Sequence, residues 1–227
     1  FSRALGYSGY SDMQKDIQSS LQTKASLPER LITLEQYPAN TLLAESFQND
    51  ILNIQHTLEA QNDQELQRVI HAISSAPNVY VLGMRSSFSV AHYMASRLSE
   101  IRENIHLIQS VGMLYPEEIV SAKEGDICIA YMFPRYSKLS TTILSWMKNA
   151  GVKVVLFTSQ NYSAVQGYGD IILPCAISSL SYKNSYAAPL SLSNYLIAAI
   201  AQENYEESQK VLEKTESILN QGFYLGL

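Results

Sequence analysis

The sequence predicts a three-layer α/β/α domain, with a five-stranded parallel sheet buried on both faces and a helical segment in front of it. Three observations carry that expectation. Short apolar, β-branched runs recur five times after residue 79, beginning about 17 to 27 residues apart. Helical patterns fill most of the gaps, and strands alternating with helices imply βαβ units and a parallel sheet. The chain has 227 residues, 46% hydrophobic and 16% charged, enough to bury a substantial core without disulfides.

The first elements are helical. Phe1-Ser2-Arg3-Ala4-Leu5-Gly6 reads as the last turn of a helix ended by glycine, and no initiator Met precedes it. That start is expected of a processed product or of a piece of something longer. Residues 10–76 continue as helices. Leu42, Phe47, Ile51, Ile54 and Leu58 recur at helical spacing, which predicts an amphipathic helix of about five turns over 41–60. Pro38 stands before it, and Asn40 or Thr41 is the candidate cap. A second helix over 63–75 places Leu66, Val69, Ile70 and Ile73 on one face, with Asn62 or Asp63 as its cap.

The strands are expected at Val79–Leu82, Ile105–Ile108, Ile127–Met132, Val154–Phe157 and Ile171–Leu173. The clearest helices between and after them are Ser87–Arg102, Ser137–Ala150 (ended by Gly151) and Asn184–Gln202, followed by a last helix over 203–220. A short helix is expected within Met113–Lys123. The division is therefore 1–37, then packing helices over 38–76, then an α/β domain over 77–220.

Charge and composition narrow the function classes. No apolar run reaches the roughly 18 residues of a membrane span, and the first ten residues lack the pattern of a signal peptide. Cys128 and Cys175 each lie beside a strand-like run and read as reduced core thiols of a cytoplasmic protein. The net charge is −5. It comes from five basic and nine acidic residues over 1–76, nine and seven over 77–202, and two and five over 203–227. The α/β segment is thus mildly positive, and the total excludes strong DNA binding by these residues alone.

In an open parallel sheet the ligand sits at the carboxyl ends of the strands, at the switch point. For a flavodoxin-like order that point lies between the first and third strands. The loops there are Gly83-Met84-Arg85-Ser86-Ser87 and Phe133-Pro134-Arg135-Tyr136-Ser137. Each carries an arginine and hydroxyls and leads into a helix N-terminus, a combination suited to an anion. The alternative is that the serines are ordinary N-caps and the arginines lie in solvent. Thr158 and Ser163 bracket a third hydroxyl-bearing loop, for which plain turn chemistry is the competing explanation.

The sequence has no G-x-G-x-x-G fingerprint, no phosphate-binding P-loop and no metal-type Cys/His spacing. No cofactor, metal or catalytic residue is therefore expected. A sugar-phosphate isomerase needs a general base, usually a carboxylate or histidine, and the pocket loops supply none. His92, one turn into the helix after Ser87, could point toward the site, but such a histidine is more often a helix-packing residue.

The segments VLGMRSSFSVAHYMASRL, FPRYSKLSTTIL and LFTSQNYSAVQGYGDIILP resemble a SIS (sugar isomerase) domain, and more narrowly that of the RpiR family of bacterial transcription regulators. Those pair a helix-turn-helix head with a C-terminal SIS domain. FSRALGYSGYSDMQKDI resembles the end of the recognition helix and the next helix along, and NSYAAPLSLSNYLIAAIA resembles the dimer-side helix. The resemblance implies that 1–37 is the remnant of the DNA-binding head, with Ser2 and Arg3 on the DNA side. It implies that Ser87 and Ser137 contact a phosphosugar phosphate; together with the loop residues read above, the expected effector site is Arg85, Ser86, Ser87, Arg135, Tyr136, Ser137, Thr158 and Ser163. The sequence departs from the general SIS pattern where Arg85 replaces a glycine and Pro134-Arg135-Tyr136 replaces a Ser-Gly type of turn. Met132 and Ser159 also stand where a serine and an aspartate are common.

The expected function is a DNA-binding transcription regulator whose SIS domain senses a small anionic metabolite, a phosphorylated sugar or related acid. The alternative is an aldose–ketose isomerase of the SIS type. A homodimer or tetramer is expected, because the 41–60 helix and the face of Leu190, Leu196, Ile197 and Ile200 offer more apolar surface than one thin sheet layer needs.

Overall fold

The computed structural model describes residues 25–222, together with Ser2, Gly9 and Tyr10. Arg3 and the rest of the expected opening turn lie outside the described residues. The order along the chain is α1 (Leu27–Glu35), α2 (Leu42–Glu59), α3 (Asp63–Ser75), β1 (Val79–Gly83), α4 (Phe88–Ser99), β2 (Ile105–Ile108), α5 (Tyr115–Ile119), β3 (Ile127–Tyr131), α6 (Lys138–Asn149), β4 (Lys153–Ser159), β5 (Ile171–Cys175), α7 (Ala187–Glu203) and α8 (Tyr205–Leu219). The five strands form one sheet in the order β2-β1-β3-β4-β5. Every pairing is parallel, with Val79 opposite both Ile105 and Ile127 and Tyr131 opposite Phe157.

The two-residue period of the strands sorts their side chains into two cores. Val79, Val81, Ile129, Val155 and Leu173 face one side, where Ile70 and Ile73 of α3, Met94 and Leu98 of α4 and Leu196 and Ile200 of α7 cover them. Tyr80, Leu82, Cys128, Ala130 and Leu156 face the other, under Ile119 of α5 and Ile143, Leu144 and Met147 of α6. The expected three layers and strand order are therefore present. Both cysteines are free and buried, and burial pushes both thiols well above their ordinary range.

Several boundaries differ from expectation for local reasons. The helix expected from Ser87 is preceded by a single 3-10 turn at Arg85–Ser87 and runs from Phe88 to Ser99. Arg102 lies beyond its end, buried, donating to the carbonyls of Ile73 and Ala76. The helix expected from Asn184 begins at Ala187, leaving 184–186 as loop. The short helix covers only Tyr115–Ile119, with Pro116 in its first turn. Asn62 caps α3 by accepting from the backbone N–H of Gln64 and Glu65, whereas Thr41 makes no side-chain cap for α2 and donates instead to the Pro38 carbonyl. Gly151, with φ of 83°, ends α6 in the left-handed region.

The orientation of α2 is unexpected. Its polar side turns toward the domain and lies along β5, an edge strand whose outer backbone groups lack a neighbouring strand. Thr57 Oγ1 accepts from the Ala176 N–H at 2.8 Å, and Gln61, just past the helix, donates to the Pro174 carbonyl at 2.8 Å. Asn49 and Asn53 both donate to the Ser178 carbonyl at 2.7 Å. The apolar stripe consequently faces outward, with Leu43 72%, Phe47 66% and Leu58 75% exposed. The face of α7 behaves in the opposite way and corrects the expectation for it. Leu196, Ile197 and Ile200 are buried within the chain and offer no outer surface.

No helix among the described residues is long and apolar enough to cross a membrane.

Candidate functional site

β1 and β3 lie side by side in the middle of the sheet, and the chain leaves their carboxyl ends in opposite directions, to α4 and to α6. That divergence opens a cleft. Gly83 permits the first turn after β1 to fold back tightly, since a Cβ there would sit 2.6 Å from the Ser87 carbonyl oxygen and 2.7 Å from Ala91 Cβ. Arg85 then adopts a left-handed conformation, with φ of 57°. The Ser87 hydroxyl closes the turn by donating to the Met84 carbonyl at 2.8 Å and accepting from the Met84 N–H at 3.2 Å. The backbone thereby presents Arg85 and Ser86 outward, while Ser87 is buried beneath them.

The far wall is built from the loop after β3 and the segment before α7. Tyr186 lies against Phe133, with ring centroids 5.4 Å apart, and its hydroxyl is 3.0 Å from that of Ser86. Burial raises the Tyr186 pKa, opposed by that hydrogen bond and by the charge of Arg85. Asn184 donates to the Pro134 carbonyl at 2.7 Å and so pins the Arg135 loop. Beneath it Tyr131 stacks on Phe157 at 4.4 Å, and its hydroxyl reaches Ser193 at 2.6 Å. Ser137 stands at the N-terminus of α6 in an extended conformation and makes no capping bond.

The resulting cleft is open to solvent and is lined by α1, by the loops after β1 and β3 and by the segment before α7. Its charged lining is Arg30, Arg85, Arg135 and Lys183, and among the described residues no carboxylate or histidine shares it. None of these four cations forms an ion pair among the described residues. Two α-helix N-termini, those of α4 and α6, add partial positive charge. Chemically, this is a place to hold an oxyanion. His92 is exposed on α4 beside Phe88 and does not line the cleft.

Of the residues expected from sequence, Arg85, Ser86, Ser87, Arg135 and Ser137 come together here. Tyr136, Thr158 and Ser163 do not line the cleft. Tyr136 turns into the core on the α6 side, its hydroxyl 3.5 Å from Ser159. Thr158 is wholly buried, its hydroxyl without a partner, and Ser163 is exposed beside Asn161. Ser2 is half-buried in a turn. No metal-binding cluster of His, Cys, Asp or Glu occurs among the described residues.

Arg30, Lys183, Asn184 and Tyr186 are cleft residues that sequence reasoning missed. Extending the last domain helix back to Asn184 hid the final two. For Arg30, Ser26 and Glu29 announce a helix start through a capping box, with the Ser26 N–H donating to Glu29 at 2.6 Å. Nothing local announces where that helix lies.

Comparison with known proteins agrees with this geometry. The SIS domain model matches residues 72–201. An HTH-type transcriptional regulator of Haemophilus influenzae is 22% identical over 176 residues, which is 76% of this chain. The chain spans 61% of that relative's length. Among solved structures, the sugar isomerase domain of an RpiR transcription factor from Sphaerobacter thermophilus superposes with a TM-score of 0.74 at 23% identity, covering 78% of this chain and 99% of that one. The NanR protein of Vibrio vulnificus, complexed with ManNAc-6P, gives 0.69 at 18% identity, covering 99% of this chain and 80% of its own. The match to the domain model takes in more than half of the chain, including both cleft loops, and the chain belongs to the SIS domain family.

Proposed function

We propose that this chain is the effector-sensing part of a cytoplasmic, DNA-binding transcription regulator of the RpiR kind. Its cleft takes a small anionic metabolite, a phosphorylated sugar or a related sugar acid. The observation that carries this reading is the cleft lining, four cations and several hydroxyls without a carboxylate among the described residues. The phosphosugar class is supported by ManNAc-6P in NanR, and the regulator class by the HTH-type relatives. A turnover role, the alternative that isomerase neighbours in the same fold leave open, has less support, because isomerisation needs a proton acceptor and no carboxylate or histidine lines the cleft among the described residues. DNA is read through a helix-turn-helix head, and the effector shifts the balance between arrangements of that head.

The working unit is a homo-oligomer, of which a dimer is the simplest form. The outward apolar stripe of α2 is its interface, since a row of Leu43, Phe47, Ile51, Ile54 and Leu58 is costly to leave in water. Sedimentation of a Leu43→Glu/Phe47→Glu variant is expected to show monomer where the parent shows dimer. A monomeric parent would remove the interface from the account.

Ligand-induced melting shifts across a panel of phosphosugars and sugar acids test the sensing role. A true effector at a hundredfold excess over its Kd adds about 2.7 kcal/mol of stability by mass action. NMR of the same mixtures is expected to show no aldose–ketose exchange. A flat panel would overturn the sensing reading, and exchange would restore the isomerase.

A further inference from the structure

Helix α1 precedes the α/β domain, yet it forms part of the cleft wall through Leu27 and Arg30. Its polar contacts with the cleft run in both directions. Arg30 Nη1 donates to Asn184 Oδ1 at 3.3 Å, while Arg135 Nη2 reaches back to the Ala25 carbonyl at 3.1 Å, just before the helix. Asn184 in turn holds the Pro134 carbonyl, so one short chain of contacts joins α1 to the loop after β3.

This joint brings two guanidinium groups to the same wall, with no carboxylate in the lining among the described residues. Both groups remain charged at neutral pH and repel one another. Burial, and after it the charge of Arg135, pushes the Arg30 pKa downward. Structural arginines in such positions normally meet an acid, and neither of these forms an ion pair among the described residues.

We infer that Arg30 is an effector ligand, and that an oxyanion held jointly by Arg30 and Arg135 fastens α1 onto the mouth of the cleft. The inference rests on the reading of the cleft as an anion site and adds how occupancy leaves it. An empty cleft holds α1 through a few neutral contacts against like-charge repulsion. An occupied one replaces that repulsion with two charge-assisted, fork-shaped contacts. Because α1 lies N-terminal to the domain, the state of the cleft is converted into how firmly α1 is held. Arg85, on the opposite wall, binds the same ligand without touching this segment.

Hydrogen exchange of the full chain in inorganic phosphate, against chloride of equal ionic strength, reads the effect. Amides of 27–35 are expected to slow in phosphate for the parent chain. In Arg30→Gln that slowing disappears, and phosphate affinity by calorimetry falls about tenfold, the scale of one lost charged hydrogen bond. Arg30→Lys, which keeps charge and fold but loses the fork, is expected to recover part of both. If phosphate binds and Arg85→Gln weakens it, while Arg30→Gln binds as tightly as the parent, the clamp is overturned and the anion site stands. If phosphate binds to no variant or parent, both fall together.

Discussion

Of the hydroxyl-bearing loops after β1, β3 and β4, the first two line the cleft and the third does not. The loop after β1 (83–87) and the loop after β4 (158–163) have similar residue types in sequence. The first borders the gap where the chain diverges to opposite faces, and its Arg85 and Ser86 open into that gap. The loop after β4 lies over the α6 side, where Thr158 is sealed in the core and Ser163 faces solvent. Position relative to the switch point, and not composition, decides which loop can hold a ligand.

Backbone substitutions should separate the two loops most strongly. Gly83→Val has no room, because the atoms it would meet are the Ser87 carbonyl and Ala91 Cβ, both fixed by α4. A loss of about 2–4 kcal/mol in urea unfolding is expected from such overpacking. Gly167→Ala, beyond the loop after β4, meets nothing within 4 Å and should change stability by less than about 0.5 kcal/mol. Equal losses would mean that the first turn is not a tight joint.

Ligand affinity is the next contrast. Arg85→Ala or Arg135→Ala is expected to weaken effector binding about 10- to 100-fold in calorimetry, corresponding to about 1.5–3 kcal/mol for a charged hydrogen bond. Ser163→Ala should leave it unchanged. A Ser163 effect as large as the arginine effects would move the site to the loop after β4.

The smallest effect concerns Thr158. Its hydroxyl is buried without a partner, so Thr158→Val removes an unsatisfied polar group while keeping the shape. Stability is expected to hold or rise by about 1 kcal/mol in thermal melts, with effector affinity unaltered. A drop in affinity would show that this hydroxyl reaches the ligand after all.

The sheet was readable because buried parallel strands are continuous apolar runs, and their spacing left room for one helix each. The first two cleft loops came from strand order alone. The parts that stayed hidden depend on contacts between distant segments. Periodicity showed that α2 has an apolar stripe but not that Asn53 and Thr57 would turn inward to serve the exposed edge of β5. The same blindness covered Arg30, whose helix start is written in Ser26 and Glu29 but whose place against Asn184 is not. At Thr158 the residue type suggested a ligand group, and its position at the end of β4 buried it instead.

The cleft works as an anion site only if its opposite walls act together. Calorimetric titration of the tightest panel effector into the parent and into Arg85→Ala/Arg135→Ala tests this most directly. Saturable binding to the parent, lost from the double variant whose melting temperature is unchanged, is the predicted result. Equal binding by both proteins would place the effector elsewhere and contradict the account.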